Sequence, residues 1–318
     1  MIPPKIYGLI GYPVKHSLSP AMHNAAFKYL KETKKIDYEA EYRLFEVKPE
    51  KLEDFLLKNI EVQDTKGESF FSQDIVGFNI TIPHKVRAKE ILEKRFPFDN
   101  SKERIVEDEY YVKLSGAINT VKRNKETLHY YNTDARGFLD SLMDKEYLRF
   151  EPYGKKVLLI GCGGAGRAII ASLSWKNVGV KNIYINDIND EAVVSAKKHF
   201  SQLPQHAYLE EILEFVLAKD IPQVINDCHL LINASPVGME EGDGPVADRS
   251  LLHKNLSVYD VVYNKETQLI KDAKSLGLPA VNGLGMLLYQ GVDAFELWTG
   301  QKAPVEVMRK ALREATSK

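Results

Sequence analysis

The chain has 318 residues, of which 44% are hydrophobic and 27% are charged, and its formal net charge is −1. This composition suits a globular protein large enough for two domains, and the lack of a basic excess argues against nucleic acid as a partner. Two cysteines, Cys162 and Cys228, are too few for a disulfide framework, so we expect a reduced, cytoplasmic protein. The sequence predicts neither a signal peptide nor a membrane span.

Short apolar runs alternate with amphipathic segments in the first part of the chain. Three runs have the composition of strands, at 6–11, 40–47 and 74–82. Helical spacing follows each of them, from Pro20, over 49–58 and from Pro83. This order predicts an α/β protein with a mostly parallel sheet, and 116–123 with 127–133 adds a hairpin. The polar stretches 59–74 and 94–112 are expected to be surface excursions.

The same alternation returns after a boundary that we place between residues 134 and 155. The run 155–173 fits a strand, a glycine-rich turn and a helix. Further predicted strands are 181–187, 229–235 and 257–263, the segment 278–283 closes this block, and 284–316 has a helical pattern. Gly161, Gly163 and Gly166 form G-x-G-x-x-G between the first of these strands and a helix. Such glycines allow a tight turn, backbone approach to a pyrophosphate and close helix packing, which predicts a dinucleotide site. A purely structural glycine turn is the alternative.

Asp187 ends the second strand of this region. A carboxylate at that place accepts hydrogen bonds from the ribose hydroxyls of NAD and repels the 2′-phosphate of NADP. The neighbouring residues include no arginine or lysine that could bind a phosphate. We therefore expect NAD to be favoured, with NADP as the alternative. Asp187 could instead cap the next helix, although Asp190 is the better cap candidate because it directly precedes the periodic stretch.

Lys85 and Asp134 are candidates for proton transfer. Lys85 falls in the first turn of a predicted helix, where the helix dipole disfavours a cation, so a role other than folding is indicated. Oxidation of a secondary alcohol needs a base for the hydroxyl proton, and Asp134 could orient that lysine. A surface lysine and a helix N-cap are the respective alternatives. The histidines have no metal-ligand spacing, so we expect no metal.

Ser17 and Ser19 lie two residues apart in a segment expected to be extended, so their side chains can face one ligand. Ser19 directly precedes Pro20, which predicts serine at the N-cap and proline at the first helical position. Ser17 has no comparable structural role, and a carboxylate beside a helix N-terminus would be favoured. We expect Ser17 to bind a ligand, and whether Ser19 serves both purposes stays open.

These segments together resemble the shikimate dehydrogenase family, including its quinate/shikimate branch, along nearly the whole chain. The resemblance rests on SLS (17–19), GFNITIPHK (77–85), GAINT (116–120), NTD (132–134), GCGGAGRA (161–168), NASPVGM (233–239), DVVYN (260–264) and GLGMLLYQGVDAFELWTG (283–300). It implies reversible NAD(P)-linked oxidation of shikimate to 3-dehydroshikimate, with Lys85 as general acid/base and Asp134 as its partner. Substrate-binding residues would be Ser17, Ser19, Asn79, Thr81, Asn119, Tyr263 and Gln290. Cofactor-binding residues would be Gly161, Gly163, Gly164, Ala165, Gly166, Asp187, Asn233, Ala234, Ser235, Gly283 and Met286.

The family architecture implies a substrate-binding catalytic domain made of 1–134 plus 284–318 and a Rossmann-type domain made of 135–283. Many members prefer NADP and carry an arginine where this chain has Asp187, which resembles the NAD-using quinate/shikimate branch. The alternative function is therefore a quinate, or dual quinate/shikimate, dehydrogenase using NAD. A non-catalytic dinucleotide sensor would not need Lys85 and Asp134 together. We expect a small-molecule substrate, no nucleic acid or membrane partner, and a monomer or homodimer.

Overall fold

The computed structural model describes residues 3–98, 107–124, 127–175, 177–240 and 242–316. The chain divides into two compact units. The first contains the chain up to Thr133 together with everything from Leu287 onward, and the second is Asp134–Met286. Asp134 and residues 284–286 thus belong to the second unit, whereas the sequence predicted them in the first.

A five-stranded sheet forms the centre of the first unit. Its strands are β1 (Lys5–Gly11), β2 (Ala40–Glu46), β5 (Ile75–Ile80), β6 (Thr120–Arg123) and β7 (Leu128–Tyr131), in the order β2-β1-β5-β6-β7. Strands β2, β1 and β5 are parallel, and β6 and β7 form an antiparallel hairpin beside β5. The predicted strands and the predicted hairpin are confirmed.

Helices cover this sheet. They are α1 (Ser19–Glu32), α2 (Leu52–Leu57), α3 (Lys85–Arg95), α4 (Glu107–Ser115) and α12 (Val305–Thr316), with most of α11 (Leu284–Thr299). The polar stretch 59–74 contains a small antiparallel hairpin, β3 (Glu61–Gln63) and β4 (Ser69–Phe71). Of the other polar stretch, 94–112, residues 99–106 lie outside the described residues.

Aromatic packing fixes α11 on the first sheet. The indole of Trp298 lies over Gly77, where a β-carbon would come within 2.6 Å of the ring. Its Nε1–H donates to the Val121 carbonyl at 2.9 Å. Because β5 and β6 both contact this side chain, α11 is held in one position across the sheet.

The second unit is built on a six-stranded parallel sheet. Its strands are β8 (Lys156–Ile160), β9 (Asn182–Asn186), β10 (Leu213–Phe215), β11 (Leu230–Asn233), β12 (Ser257–Asp260) and β13 (Ala280–Asn282), in the order β10-β9-β8-β11-β12-β13. Its helices are α5 (Thr133–Met143), α6 (Gly164–Leu173), α7 (Asp190–Ser201), α8 (His206–Ile212), α9 (Ile221–Ile225) and α10 (Gln268–Ser275). The strand order reverses between β8 and β11, as in Rossmann-type folds. The predicted α/β fold class is confirmed.

The starts of α7 and α3 differ from the sequence prediction. Asn189, not Asp190, caps α7, because its extended backbone lets the side chain accept the N–H groups of Glu191 and Ala192 at 3.0 and 3.2 Å. Helix α3 begins at Lys85 and not at Pro83. Across the described part of the chain, each helix is too short or too polar to cross a membrane.

Candidate functional site

Ser17 and Ser19 lie at the start of α1, in the loop that follows β1. The helix begins at Ser19 and its N-cap residue is Leu18, whose side chain has no hydrogen-bonding group. The Ser17 hydroxyl accepts the backbone N–H of Ser19 and donates to the Ser19 hydroxyl, both at 3.2 Å. The predicted N-cap role of Ser19 is therefore wrong, and Ser17 satisfies the backbone at this helix end instead. The two hydroxyls lie side by side.

Thr81 and Lys85 occupy the loop after β5 and the first residue of α3. Thr81 donates its N–H to the Ile10 carbonyl at 2.9 Å, and the backbone carbonyl of Lys85 accepts the Ile118 N–H at 3.1 Å. His84 between them is buried, and its Nε2 lies 2.6 Å from the Val47 carbonyl, which can only accept, so Nε2 carries the proton. Burial lowers the pKa of His84 despite this bond. The histidine thus anchors the loop that presents Lys85.

Asn119 and Gln290 form a buried pair although they lie 171 residues apart in sequence. Asn119 Nδ2 donates to Gln290 Oε1 at 3.4 Å and to Thr133 Oγ1 at 2.9 Å. The Thr133 N–H donates to Asn119 Oδ1 at 2.7 Å, and a backbone N–H can only donate, which fixes the orientation of this amide. Asp134 follows Thr133 directly in α5 and is 5% exposed.

Asn79 is buried, and its carboxamide bonds to protein groups at both ends. Its Nδ2 donates to Thr120 Oγ1 at 2.9 Å and to the Asn119 carbonyl at 3.3 Å, and its Oδ1 accepts the Tyr42 hydroxyl at 2.8 Å. Direct substrate contact by Asn79 stays a prediction, and these bonds favour a supporting role. Sequence reasoning missed Tyr42, because an aromatic residue in a strand is normally part of the core.

The glycine-rich turn between β8 and α6 has the shape that its spacing predicts. Gly161 has φ +99°, and a β-carbon there would lie 2.7 Å from the Ser235 nitrogen, while one on Gly166 would lie 2.1 Å from the Gly161 carbonyl. A β-carbon on Gly163 would meet no described atom within 4 Å. The first-turn N–H groups beyond this open space belong to Gly164, Ala165 and Gly166. These features fit the pyrophosphate of a dinucleotide.

Asp187 connects the end of β9 to this turn. Its Oδ2 accepts the Cys162 N–H at 2.8 Å and its Oδ1 accepts the Asn189 N–H at 2.9 Å. Cys162 is fully buried, and burial together with the neighbouring Asp187 raises the pKa of its thiol to about 12. Both cysteines are free thiols. Each carboxylate oxygen of Asp187 thus already has a backbone donor, which gives this residue a structural function.

A buried cluster holds the loops after β11 and β12. Asn233 donates to Asp260 Oδ1 at 2.9 Å and accepts the Ser235 N–H at 3.0 Å. Thr267 donates to Asp260 Oδ2 at 2.6 Å. Burial raises the pKa of the Asp260 carboxyl in spite of the hydrogen bonds from Thr267, Val262 and Asn233. Asn233 therefore shapes the loop that carries Ser235, and Asp260, to which sequence reasoning gave no role, is the acceptor that holds it.

The remaining predicted residues lie near the same loops of the second unit. Ala234 directly follows β11 and donates its N–H to the Ile160 carbonyl at 2.7 Å. A β-carbon on Gly283 would lie 2.0 Å from the Val261 carbonyl, so this close backbone approach requires glycine. Met286 is 5% exposed, and Tyr263 is half-buried in the loop after β12. Among the described residues, no group of three His, Cys, Asp or Glu side chains could hold a metal.

Comparison with known proteins shows the family. The model of the shikimate dehydrogenase substrate binding domain matches residues 9–97, and that of the shikimate 5′-dehydrogenase C-terminal domain matches residues 283–313. A shikimate dehydrogenase (NADP(+)) of Methanopyrus kandleri is 38% identical over 97% of this chain and 95% of its own length. The chain belongs to the shikimate dehydrogenase family.

Other members of the family support this assignment. A shikimate dehydrogenase (NADP(+)) of Desulforamulus reducens is 37% identical over 99% of this chain and 96% of its own length. A crystal structure of a shikimate dehydrogenase in complex with NADP+ is 32% identical, with a TM-score of 0.76, and the match covers 100% of this chain and 98% of the other.

The expected preference for NAD is wrong. Relatives of nearly full length in the family are named as NADP(+) enzymes, and the solved structure above contains NADP+. The expectation treated the Asp187 carboxylate as free to bind a ribose. In the structure both of its oxygens accept backbone N–H groups, so its presence at the end of β9 has a structural explanation. The quinate alternative is not favoured by these names either.

Proposed function

We propose that the protein is a shikimate dehydrogenase that interconverts shikimate and 3-dehydroshikimate with NADP(H). One observation carries the proposal: the predicted substrate residues of the first unit collect at one edge of its sheet, the edge formed by the carboxyl ends of β1 and β5. The loops that carry Ser17 and Lys85 follow the carboxyl ends of the parallel strands β1 and β5. Asn119 precedes β6, which is antiparallel to β5 and so starts at the same edge. Ligands of α/β sheets bind at this edge.

The polar groups at this edge suit a small polyhydroxylated acid. The paired hydroxyls of Ser17 and Ser19, beside the N-terminus of α1, would hold the carboxylate. Thr81, Asn119 and Gln290 would bind ring hydroxyls, because hydroxyl and carboxamide groups both donate and accept. Asn79 would support Asn119, and its direct contact with the substrate stays a prediction. Tyr263 stays a proposed substrate contact of the second unit, as the family resemblance implies.

Lys85 would carry the proton of the reaction. As the substrate alcohol becomes a ketone, its hydroxyl proton passes to the neutral amine of Lys85, and the reverse reaction returns it. Asp134 would be the carboxylate partner of this lysine. NADP, when bound, supplies the acceptor for the hydride that leaves the same carbon. Gly163 and the N-terminus of α6 would hold its pyrophosphate, because the open space there admits a phosphate close to the backbone.

A lysine substitution tests the proposal. We expect Lys85→Met to lower kcat for shikimate oxidation with NADP by about 10²–10⁴-fold, the usual range for removal of a general base. Lys94→Met is the matched control, since Lys94 is an exposed residue of the same helix, and we expect its kcat within about twofold of wild type.

The assay also discriminates the alternatives. Each protein is measured with shikimate and with quinate, and with NADP and with NAD. A higher kcat/KM for quinate would contradict the substrate assignment, and a higher kcat/KM with NAD would contradict the cofactor assignment. A Lys85→Met variant that keeps wild-type kcat would remove the proton-transfer role of Lys85.

A further inference from the structure

Tyr42 lies on the edge strand β2, and two consecutive residues of α1 hold it in place. The His23 ring stacks on the Tyr42 ring, with centroids 4.4 Å apart and an interplanar angle of 14°. The Asn24 carboxamide accepts the Tyr42 N–H at 2.7 Å and donates to the Tyr42 carbonyl at 3.0 Å. Tyr42 is 2% exposed. Its ring and its backbone are therefore fixed by the helix whose first residue is Ser19.

The Tyr42 hydroxyl is the donor that Asn79 requires. Asn79 Nδ2 faces the Asn119 carbonyl, which can only accept, so the amide orientation is fixed and Oδ1 faces Tyr42. The second hydrogen of Nδ2 goes to Thr120 Oγ1. The Tyr42 hydroxyl, whose oxygen lies 2.8 Å from Asn79 Oδ1, therefore donates to this buried carbonyl oxygen.

The chain of hydrogen bonds continues in one direction from Asn79. Thr120 Oγ1 accepts from Asn79 and directs its own hydrogen to Asn119 Oδ1 at 3.2 Å or to Thr133 Oγ1 at 3.1 Å. The backbone N–H of Thr133 already fixes Asn119 with its oxygen on this side. Asn119 consequently presents its Nδ2 to Gln290. Donors and acceptors alternate without conflict along the whole chain, which strengthens its orientation.

We propose that Tyr42 is a positioning residue of the substrate site. It acts through Asn79 and Thr120 to hold the Asn119 carboxamide, and it ties this amide to α1, whose first residue, Ser19, has its hydroxyl paired with that of Ser17. The inference rests on the proposed function, since Asn119 and Gln290 are there the groups that bind ring hydroxyls.

The test compares two tyrosines that lie side by side. Tyr42→Phe removes the hydroxyl that Asn79 accepts, and we expect kcat/KM for shikimate to fall at least roughly tenfold, with KM for NADP within about twofold. Tyr7→Phe is the matched control. Tyr7 lies in β1, directly opposite Tyr42, and is also 2% exposed. Its hydroxyl forms a hydrogen bond with the side chain of Tyr38. It should leave kcat/KM for shikimate within about twofold.

A second variant breaks the same chain at another point. Thr120→Val removes the next hydroxyl with little change of shape, and we expect a similar loss of kcat/KM for shikimate. In the Tyr42→Phe/Thr120→Val double variant the loss should be no larger than that of the more affected single variant, because both act on one chain. Should Tyr42→Phe fail to fold, Thr120→Val alone must reproduce the loss.

Three outcomes would overturn the inference. They are additive losses in the double variant, a Tyr42→Phe protein with reduced thermal stability but wild-type kcat/KM, and a Thr120→Val protein with wild-type kcat/KM. A wild-type protein that does not turn over shikimate would contradict the proposed function itself. These results are distinguishable, because wild-type activity is measured first.

Discussion

The carboxylate of Asp187 accepts the backbone N–H of Cys162 at 2.8 Å and thereby joins the end of β9 to the glycine-rich turn after β8. Cys162 is fully buried, so this N–H has no access to bulk water. The bond ties together two neighbouring strands at the edge where a dinucleotide would bind. Asp187 is therefore important for the shape of the turn, whatever it contacts in a bound cofactor.

Asp187→Ala should lower the free energy of unfolding by about 1–3 kcal/mol, because it leaves a buried donor without its acceptor. KM for NADP should rise as the turn loses this support. Urea unfolding and steady-state kinetics measure the two effects. Asp190→Ala, at the exposed first position of α7, is the control and should change stability by no more than about 0.5 kcal/mol. Equal effects of both substitutions would contradict the prediction.

Gly163→Ala should separate cofactor binding from folding. The added β-carbon meets no described atom within 4 Å, so stability should change by less than about 1 kcal/mol, as expected for a glycine at a helix N-cap. The methyl group would occupy the space proposed for the pyrophosphate, and KM for NADP should rise by roughly tenfold or more. Gly244→Ala, also in open space, is the control. An unchanged KM for NADP in Gly163→Ala would place the pyrophosphate elsewhere.

His23 should make the protein less stable in mild acid. Its ring is completely buried among aromatic side chains, its nitrogens have no hydrogen-bond partner within the described residues, and burial lowers its pKa to about 3. The unfolded chain takes up the proton near pH 6.5 and the folded chain does not, so stability is lost as the pH falls below that value. Between about pH 7.5 and 5.5 this single group removes about 1.4 kcal/mol.

The corresponding variant is His23→Phe, which keeps an aromatic ring beside Tyr42. Denaturant unfolding at both pH values should show a difference in stability smaller by about 1.4 kcal/mol than in wild type. Some dependence should persist, because the pKa values of His84 and His229 are also lowered by burial. His129→Phe, an exposed position on β7, should retain the wild-type difference. An identical pH dependence in wild type and His23→Phe would contradict the assigned burial.

Much of the fold follows from local patterns in the chain. Apolar runs with strand composition predicted β1, β5, β8 and β9, because a buried strand needs continuous apolar residues whatever surrounds it. The spacing of Gly161, Gly163 and Gly166 predicted the turn between β8 and α6, since only glycine permits the close backbone approaches at Gly161 and Gly166. Short elements such as β10 and α9 were missed, because so few residues produce no clear period.

Hydrogen-bond partners depend on contacts that no local pattern specifies. Ser17 and Ser19 were identified from their spacing, yet which of them satisfies the start of α1 depends on backbone angles at Leu18. The sequence predicts Asp187 at a strand end, but its partner Cys162 lies in the turn after another strand, and this contact gives Asp187 a structural role that no local pattern shows. Asn119 meets Gln290, and Tyr42 meets Asn79, only when distant strands and helices pack together. Periodicity thus determines the elements of this protein, whereas the directional bonds between them arise from packing.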